Sequence, residues 1–390
     1  MFKIQTLNKI DPDGLKLFPL DNYEIASEIP NPDAVVLRSF KMHDMELPSS
    51  LKAVARAGAG VNNIPIEKCT EKGIVVFNTP GANANAVKEA VIAGMLMASR
   101  DYIGAVNWGK TLIGEGENVV ALVEKGKSNF AGQELKGKTL AVIGLGAIGV
   151  LVANAASALR MKVVGYDPYM SVKHALKLSR EVTWVEGIQV LLQQADYVTI
   201  NVPLTPETKG YINKDKFAMM KNGVKIMNFA RGGLVNHADL KEAIASGKVS
   251  SYVTDFPDEE TLKMDNVISI PHLGASTKES ETNCAIMAVE QVREYLENGN
   301  IVNSVNFPAA EMERNGGCRI VIANKNVPNM VSQISSILAA KGLNIDHMLN
   351  RKREDIAYNI IDVATNKVDD SVKDELMDIE GIFMVRIINA

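Results

Sequence analysis

Three polar residues stand where apolar runs end, and their types suggest anion binding and proton transfer. Arg231 follows VKIMNFA and precedes two glycines, Asp255 follows SSYVT, and His272 follows NVISIP. A guanidinium at the end of a buried run is unfavourable unless an anion meets it. Its planar fork suits a carboxylate or a 2-oxo acid, which a lysine would not copy. Imidazole titrates near neutrality and moves a proton in either direction. Of the five histidines only His272 has this placement: His43 lies in a polar stretch, His174 and His237 near helix starts, and His347 close to the C-terminus. The stretch DFPDEE adds carboxylates between Arg231 and His272, most of which suit a solvated loop.

A second group of residues points to a dinucleotide. VIGLGAIGVLVA holds Gly144, Gly146 and Gly149 in G-x-G-x-x-G spacing, after an apolar run and at the start of a helical pattern. The next β-rich run ends at Asp167, 18 residues beyond Gly149. In that context the glycines serve a tight turn, close approach of a pyrophosphate and close helix–strand packing. A helix opening at Ala147 and Ile148 would aim unpaired N–H groups at the phosphates. Asp167 would accept from the adenosine ribose hydroxyls and repel a 2′-phosphate, so NAD is expected over NADP.

These groups need strands to hold them. Short β-rich runs alternate with helical patterns, which implies α/β domains with parallel sheets. Strands are expected at 34–39, 52–58 and 73–80, then at 139–144, 162–167, 182–184, 196–201, 224–230, 250–255 and 266–271. Helices are expected around 62–72, 84–99, 187–195, 237–247 and 279–298, with Asn236 as an N-cap and Gly247 as a stop. The segment 104–138 is Gly- and Lys-rich and carries no expected element. After a polar break at 306–317, a β-α-β-β-α-β order follows, the ferredoxin-like pattern. The reading is thus a flavodoxin-like substrate domain beginning in 1–98, a Rossmann NAD domain over 99–275, a helix returning to the first domain over 276–308, and a small ferredoxin-like domain over 316–390.

Composition narrows the class. The 390 residues are 46% hydrophobic and 23% charged with a formal net charge of −4, so no basic field recruits nucleic acid or anionic lipid. Three cysteines without C-x-x-C spacing argue against a disulfide framework or a metal site and suit a reducing cytoplasm. No apolar run near the N-terminus suggests a signal peptide. The charge-free stretch 140–159 is long enough to span a bilayer, but its glycines divide it into strand, turn and helix.

The order GLGAIG, VPLTPETKGYI, NFARGGLV and IPHLGAST resembles the D-isomer-specific 2-hydroxyacid dehydrogenases. LRS, ARAGAGVNN and NTPGANANAVKEA extend the likeness through the first domain, and the last domain resembles an ACT regulatory domain. The resemblance implies NAD-dependent oxidation of a D-2-hydroxy acid, D-3-phosphoglycerate first, as an entry to serine. Reduction of glyoxylate, hydroxypyruvate or 2-oxoglutarate is the alternative, and an NAD-sensing corepressor is a more distant one. It also implies a homo-oligomer, dimer or tetramer, without nucleic-acid or membrane partners.

In that family an Arg, a Glu and a His perform the reaction, and these match Arg231, Glu260 and His272. A carboxylate behind the imidazole fixes the ring and favours its charged form. Thr261 replaces the usual proline after the Glu and the segment to His272 is short, so Glu259 stays a competitor. The resemblance puts Val202, Pro203 and Asp255 beside the nicotinamide, with Ala230 and Gly274 also on the cofactor side. Substrate anchors are Arg38 and Ser39 of LRS, Arg56, the loop Gly58, Ala59 and Gly60, and Asn63. Asn326 and Asn344 match an amino-acid effector site, although Asn329 occupies its usual glycine position and Asn324 its usual histidine.

Overall fold

The computed structural model describes residues 1–389. Among the described residues sixteen strands form three sheets, and the chain divides into two compact units, Met1–Asn83 together with Lys278 onward, and Ala84–Thr277.

In the first unit β1 (Phe2–Leu7), β2 (Tyr23–Ala26), β3 (Ala34–Leu37), β4 (Ala53–Arg56) and β5 (Val75–Phe77) form a parallel sheet in the order β2-β1-β3-β4-β5. This is the flavodoxin-like order. Strand β3 is buried throughout and β4 up to Arg56, because helices cover both faces of a parallel sheet. Strands β1 and β2 lie outside the runs expected from sequence. In FKIQTL only Ile4 is fully buried, so the segment lacks the apolar density of a central strand.

The second unit carries β6 (Thr139–Ile143), β7 (Lys162–Tyr166), β8 (Thr183–Trp184), β9 (Tyr197–Ile200), β10 (Val224–Asn228), β11 (Val249–Thr254) and β12 (Val267–Ser269). Their order, β12-β11-β10-β9-β6-β7-β8, is the doubly wound Rossmann arrangement with a seventh strand. Alternation along β6 feeds two cores: Leu140 and Val142 join one, Ala141 and Ile143 the other. The apolar stretch 140–159 is therefore β6, a turn and the helix Ala147–Ala158, and no helix of the described residues is long and apolar enough to cross a membrane. Within 104–138, where no element was expected, the helix Tyr102–Lys110 continues and Val119–Gly126 follows. Neither buries a residue against the rest of the chain.

The third sheet, in the first unit, contains β13 (Cys318–Lys325), β14 (Ile345–Arg353), β15 (Ile356–Val363) and β16 (Ile382–Ile388). Its antiparallel order β14-β15-β13-β16 is the ferredoxin-like one. Ile320 and Ile322 pack on the sheet's own helices, Met330–Ala340 and Asp370–Met377, whereas Val321 and Ala323 enter the core of the first sheet. The helix Lys278–Asn298 meets this second face at its C-terminal end. Arg319 donates to the Asn298 carbonyl at 2.9 Å, Arg386 to the Tyr295 and Leu296 carbonyls, and the Tyr358 hydroxyl to the Gly299 carbonyl at 2.7 Å. The Leu296 and Asn298 carbonyls belong to the last turn, where intrahelical partners run out, and the sheet supplies them; the Tyr295 carbonyl also accepts from the Gly299 N–H at 2.9 Å. Arg319 is balanced by a bidentate pair with Asp362, 2.6 and 2.8 Å, both fully buried.

Candidate active site

The glycine loop follows β6. Gly144 sits at φ +87°, and a Cβ there would lie 2.6 Å from the Asn201 carbonyl oxygen, so the turn requires glycine. At Gly149 a Cβ would fall 1.9 Å from the Gly144 carbonyl oxygen, which makes this the close helix–strand contact. Gly146 faces open space, with no heavy atom within 4 Å of an added Cβ. It is also the N-cap of the helix Ala147–Ala158 and offers no side chain to its N–H groups. An open backbone position beside unmet donors fits a dinucleotide pyrophosphate. Asp167, just after β7, accepts from the Leu145 N–H through Oδ2 and the Tyr169 N–H through Oδ1, both at 2.8 Å. Each oxygen keeps a lone pair for a ribose hydroxyl. Val202 lies beside Gly144, and the Pro203 carbonyl accepts from Thr208 Oγ1 at 2.6 Å.

Three neighbouring strands of the same sheet present the polar residues. After β10, Arg231 is exposed, and its Nη1 donates to the Ala230 carbonyl at 2.8 Å. Its own carbonyl accepts from Asn228 Nδ2 at 2.9 Å, and Asn228 also reaches the Tyr252 hydroxyl at 3.2 Å and accepts from the Ala230 N–H. Asn228 thus fixes the turn that carries Arg231. Sequence reading did not select it, though an amide inside MNFA was a signal.

After β11, Asp255 is 1% exposed. Oδ2 accepts from the Gly274 N–H at 2.9 Å, while Oδ1 has no partner among the described residues. Burial raises its pKa above the ordinary carboxylate range, against the lowering effects of the Gly274 N–H and the charges of His272 and Arg231. An added Cβ at Gly274 would sit 2.8 Å from Oδ2, so the glycine permits this contact.

After β12, His272 is exposed with φ +47°, an uncommon backbone for a residue with a side chain. Two acceptors sustain it, the Asp255 carbonyl at 3.0 Å and the Ile270 carbonyl at 2.9 Å. Its ring lies 4.7 Å from that of Phe256, centroid to centroid. Arg231, Asp255 and His272 therefore sit at the carboxyl ends of β10, β11 and β12, as expected.

The acidic stretch is placed differently. Glu259 and Glu260 open the short helix Glu259–Leu262, whose capping box is made by Asp258 and Thr261. Glu260 lies 3.8 Å from His237 Nδ1, with Asp258 closer at 3.0 Å, and Glu259 pairs with Lys263 at 2.5 Å. Neither glutamate pairs with His272 in this arrangement. His237, read from sequence only as a residue near a helix start, is the partner that Asp258 and Glu260 face.

The substrate-side residues lie in the first unit. Arg38 pairs with Glu281 at 2.6 Å. Arg56 donates through Nε to the Arg38 carbonyl at 2.9 Å and through Nη1 to the Gly60 carbonyl. Added Cβ atoms at Gly58 and Gly60 would lie 3.0 and 3.2 Å from Arg56 Nη1, so the glycines let the loop wrap the guanidinium. Ala59 accepts from Asn78 Nδ2 through its carbonyl, and Asn63 Nδ2 reaches the carbonyls of Arg38 and Phe40 at 3.2 and 2.7 Å. Asn8 Oδ1 accepts from the Ser39 N–H. Glu281 escaped sequence reading because its link to Arg38 spans most of the chain.

On the third sheet Asn326 lines a pocket of about 140 Å³ with Asn324, Asn329 and Asn350, and Asn344 is not among its lining residues. No group of His, Cys, Asp and Glu able to hold a metal occurs among the described residues, and Cys69, Cys284 and Cys318 are buried and free.

Residues 93–274 match the model of the D-isomer specific 2-hydroxyacid dehydrogenase NAD binding domain. The chain is 38% identical over 298 residues to a D-3-phosphoglycerate dehydrogenase of Archaeoglobus fulgidus, covering 74% of this chain and 54% of that protein. It is 34% identical over 357 residues to the Methanocaldococcus jannaschii protein of the same name, covering 86% and 65%. The chain thus spans between about half and two thirds of the length of these relatives. An NAD+-bound 3-phosphoglycerate dehydrogenase from Entamoeba histolytica superposes with a TM-score of 0.59 at 25% identity, over 78% of this chain and 98% of that one. Fold, glycine loop and strand-end residues agree with these matches: over residues 93–274 the chain carries the NAD binding domain of the D-isomer specific 2-hydroxyacid dehydrogenases.

Proposed function

We propose that this chain oxidises D-3-phosphoglycerate to 3-phosphohydroxypyruvate with NAD, a first step towards serine. The observation that supports it most is the strand-end trio Arg231, Asp255 and His272, in the same sheet as the glycine loop. Bound NAD supplies the hydride acceptor for the substrate C2 hydrogen. His272 takes the hydroxyl proton as the C2–O bond becomes a carbonyl, and returns it in the reverse reaction. Arg231 holds the carboxylate and the developing carbonyl oxygen through its fork. Asp255 orients the Gly274 N–H and, through its carbonyl, the His272 backbone. Glu260 is the partner proposed for the His272 ring, which requires it to leave His237. Arg38 and Arg56 are the proposed anchors of the substrate's anionic groups.

The first 98 residues with the return helix, the following NAD domain and the C-terminal ACT-like module form the proposed division of labour. The asparagine-lined pocket at Asn326 supports an amino-acid effector, with Asn344 as a further contributor, and serine is the first candidate. Exposed Ile103, Val106 and Val120 on the helices of 102–126 support a homo-oligomer.

The deciding assay follows NADH oxidation with phosphohydroxypyruvate, hydroxypyruvate, glyoxylate and 2-oxoglutarate side by side. The highest kcat/KM is expected for phosphohydroxypyruvate. A preference for any of the others, or no turnover, overturns the assignment.

A further inference from the structure

The third sheet carries a cationic cavity that the proposed reaction does not use. It measures about 420 Å³ and lies between the end of β14 and the loop 303–309. Residues 351–353 line one side, and no carboxylate joins them. Side chains alternate along β14: Arg351 and Arg353 share the face of Leu349 towards the cavity, whereas Lys352 lies with Asn350 on the other face. The opposite side is Asn303 and Ser304, over a floor of Phe307 and Pro308. Two positive charges at one cavity contrast with a chain whose net charge is −4.

One of these cations has no other occupation. Arg351 makes no side-chain hydrogen bond or ion pair among the described residues, whereas Arg353 Nη1 donates to the Ser304 carbonyl at 3.0 Å. That bond sets the gap between strand and loop. The Asn303 side-chain amide is also unpartnered, and its backbone sits at φ +55°, a conformation asparagine tolerates. The floor is firm, because Phe307 is buried and packs against Tyr358 and Phe383.

Charges on an edge strand also discourage pairing with other strands, and β14 is an edge. That role needs neither a cavity nor a facing donor. An unoccupied guanidinium, a second tethered guanidinium and a free amide around one concave, apolar-floored space suit an oxyanion. The volume falls within the range of small-molecule sites.

We propose that this cavity binds a small phosphate-bearing molecule, held by Arg351 and Arg353 with Asn303 as a neutral donor. Its occupant would clamp β14 to the loop whose Val305 N–H bonds to Val76 of β5. The third sheet and the first sheet would then be joined through the ligand.

Hydrogen exchange read by mass spectrometry on the full chain tests this, with pyrophosphate and inorganic phosphate as probes and sodium chloride at matched ionic strength as control. Slower exchange is expected in 303–309 and 351–357 with pyrophosphate, and not with chloride. Arg351→Gln removes no hydrogen bond, so it should keep the parent melting temperature while weakening pyrophosphate at this site about tenfold, a loss of about 1.4 kcal/mol. The double change R351Q/R353Q should abolish the protection, whereas Lys352→Gln, on the other face of β14, should leave it in place. Protection only in other segments, equal protection by chloride, or protection that survives the double change would overturn the proposal.

Discussion

The substitution Gly146→Ala separates folding from cofactor binding. Gly146 has φ −75° and ψ −161°, which any residue adopts, and an added Cβ meets nothing within 4 Å. Unfolding free energy in urea should therefore stay within about 0.5 kcal/mol of the parent, or rise slightly as the unfolded chain loses freedom. If the pyrophosphate rests on this backbone, the methyl group occupies its space and displaces it from the helix N–H groups. One hydrogen bond to a charged group is worth about 1.5–3 kcal/mol. Losing one weakens NADH about 10- to 150-fold, readable as quenching of protein fluorescence. Gly149→Ala is the contrasting change. Its Cβ would lie 1.9 Å from the Gly144 carbonyl oxygen, where such atoms ordinarily stay about 3.3 Å apart. The helix must move away from the loop, at about 1–3 kcal/mol of stability. A Gly146→Ala protein that binds NADH as tightly as the parent would refute the placement of the pyrophosphate.

Other expectations concern the strand ends and the third sheet. His272→Gln should lower turnover by about 10²- to 10⁴-fold with little change in NADH affinity, and unchanged turnover removes it from proton transfer. Glu260→Gln should flatten the pH dependence of kcat/KM through loss of its effect on His272, whereas Glu259→Gln should not; the reverse result selects Glu259. Asp255 has a raised pKa in the fold, so the stability it contributes is full below its unfolded value and is lost as pH rises through the folded one. The melting temperature of Asp255→Asn should accordingly gain on the parent from acid to neutral pH, and a pH-independent difference contradicts the burial argument. Asp362→Asn leaves the buried Arg319 charge unbalanced and should destabilise the protein by about 3–5 kcal/mol in denaturant titration. Replacing both partners with apolar residues should not restore it, since the Asn298, Met312 and Glu313 carbonyls lose their donor.

Local chemistry made much of the site legible. The glycine spacing could be read because Gly144, with its positive φ, and Gly149, with its close contact, answer backbone requirements that no other residue meets, while Gly146 leaves its backbone open. Asn236 and Gly247 bounded their helix for the same reason: the side chain of one accepts from the Asp239 N–H, and the other sits at φ +74°. Arg231, Asp255 and His272 were found because a strand of apolar residues ends abruptly at each.

What lay beyond the sequence depends on pairs distant along it. Strand β1 is a strand because β2 and β3 flank it, although FKIQTL alone has little apolar pattern. Glu281 meets Arg38, Arg319 meets the end of the helix Lys278–Asn298, and Glu260 faces His237; no spacing rule announces such contacts. Sequence by itself determined the three sheets' class, the dinucleotide loop and the identity of the strand-end groups, since these follow from backbone sterics and apolar periodicity. Only the tertiary structure decided which charges neutralise one another and which, like that of Arg351, are left facing an open cavity, because electrostatic pairing depends on distance in space.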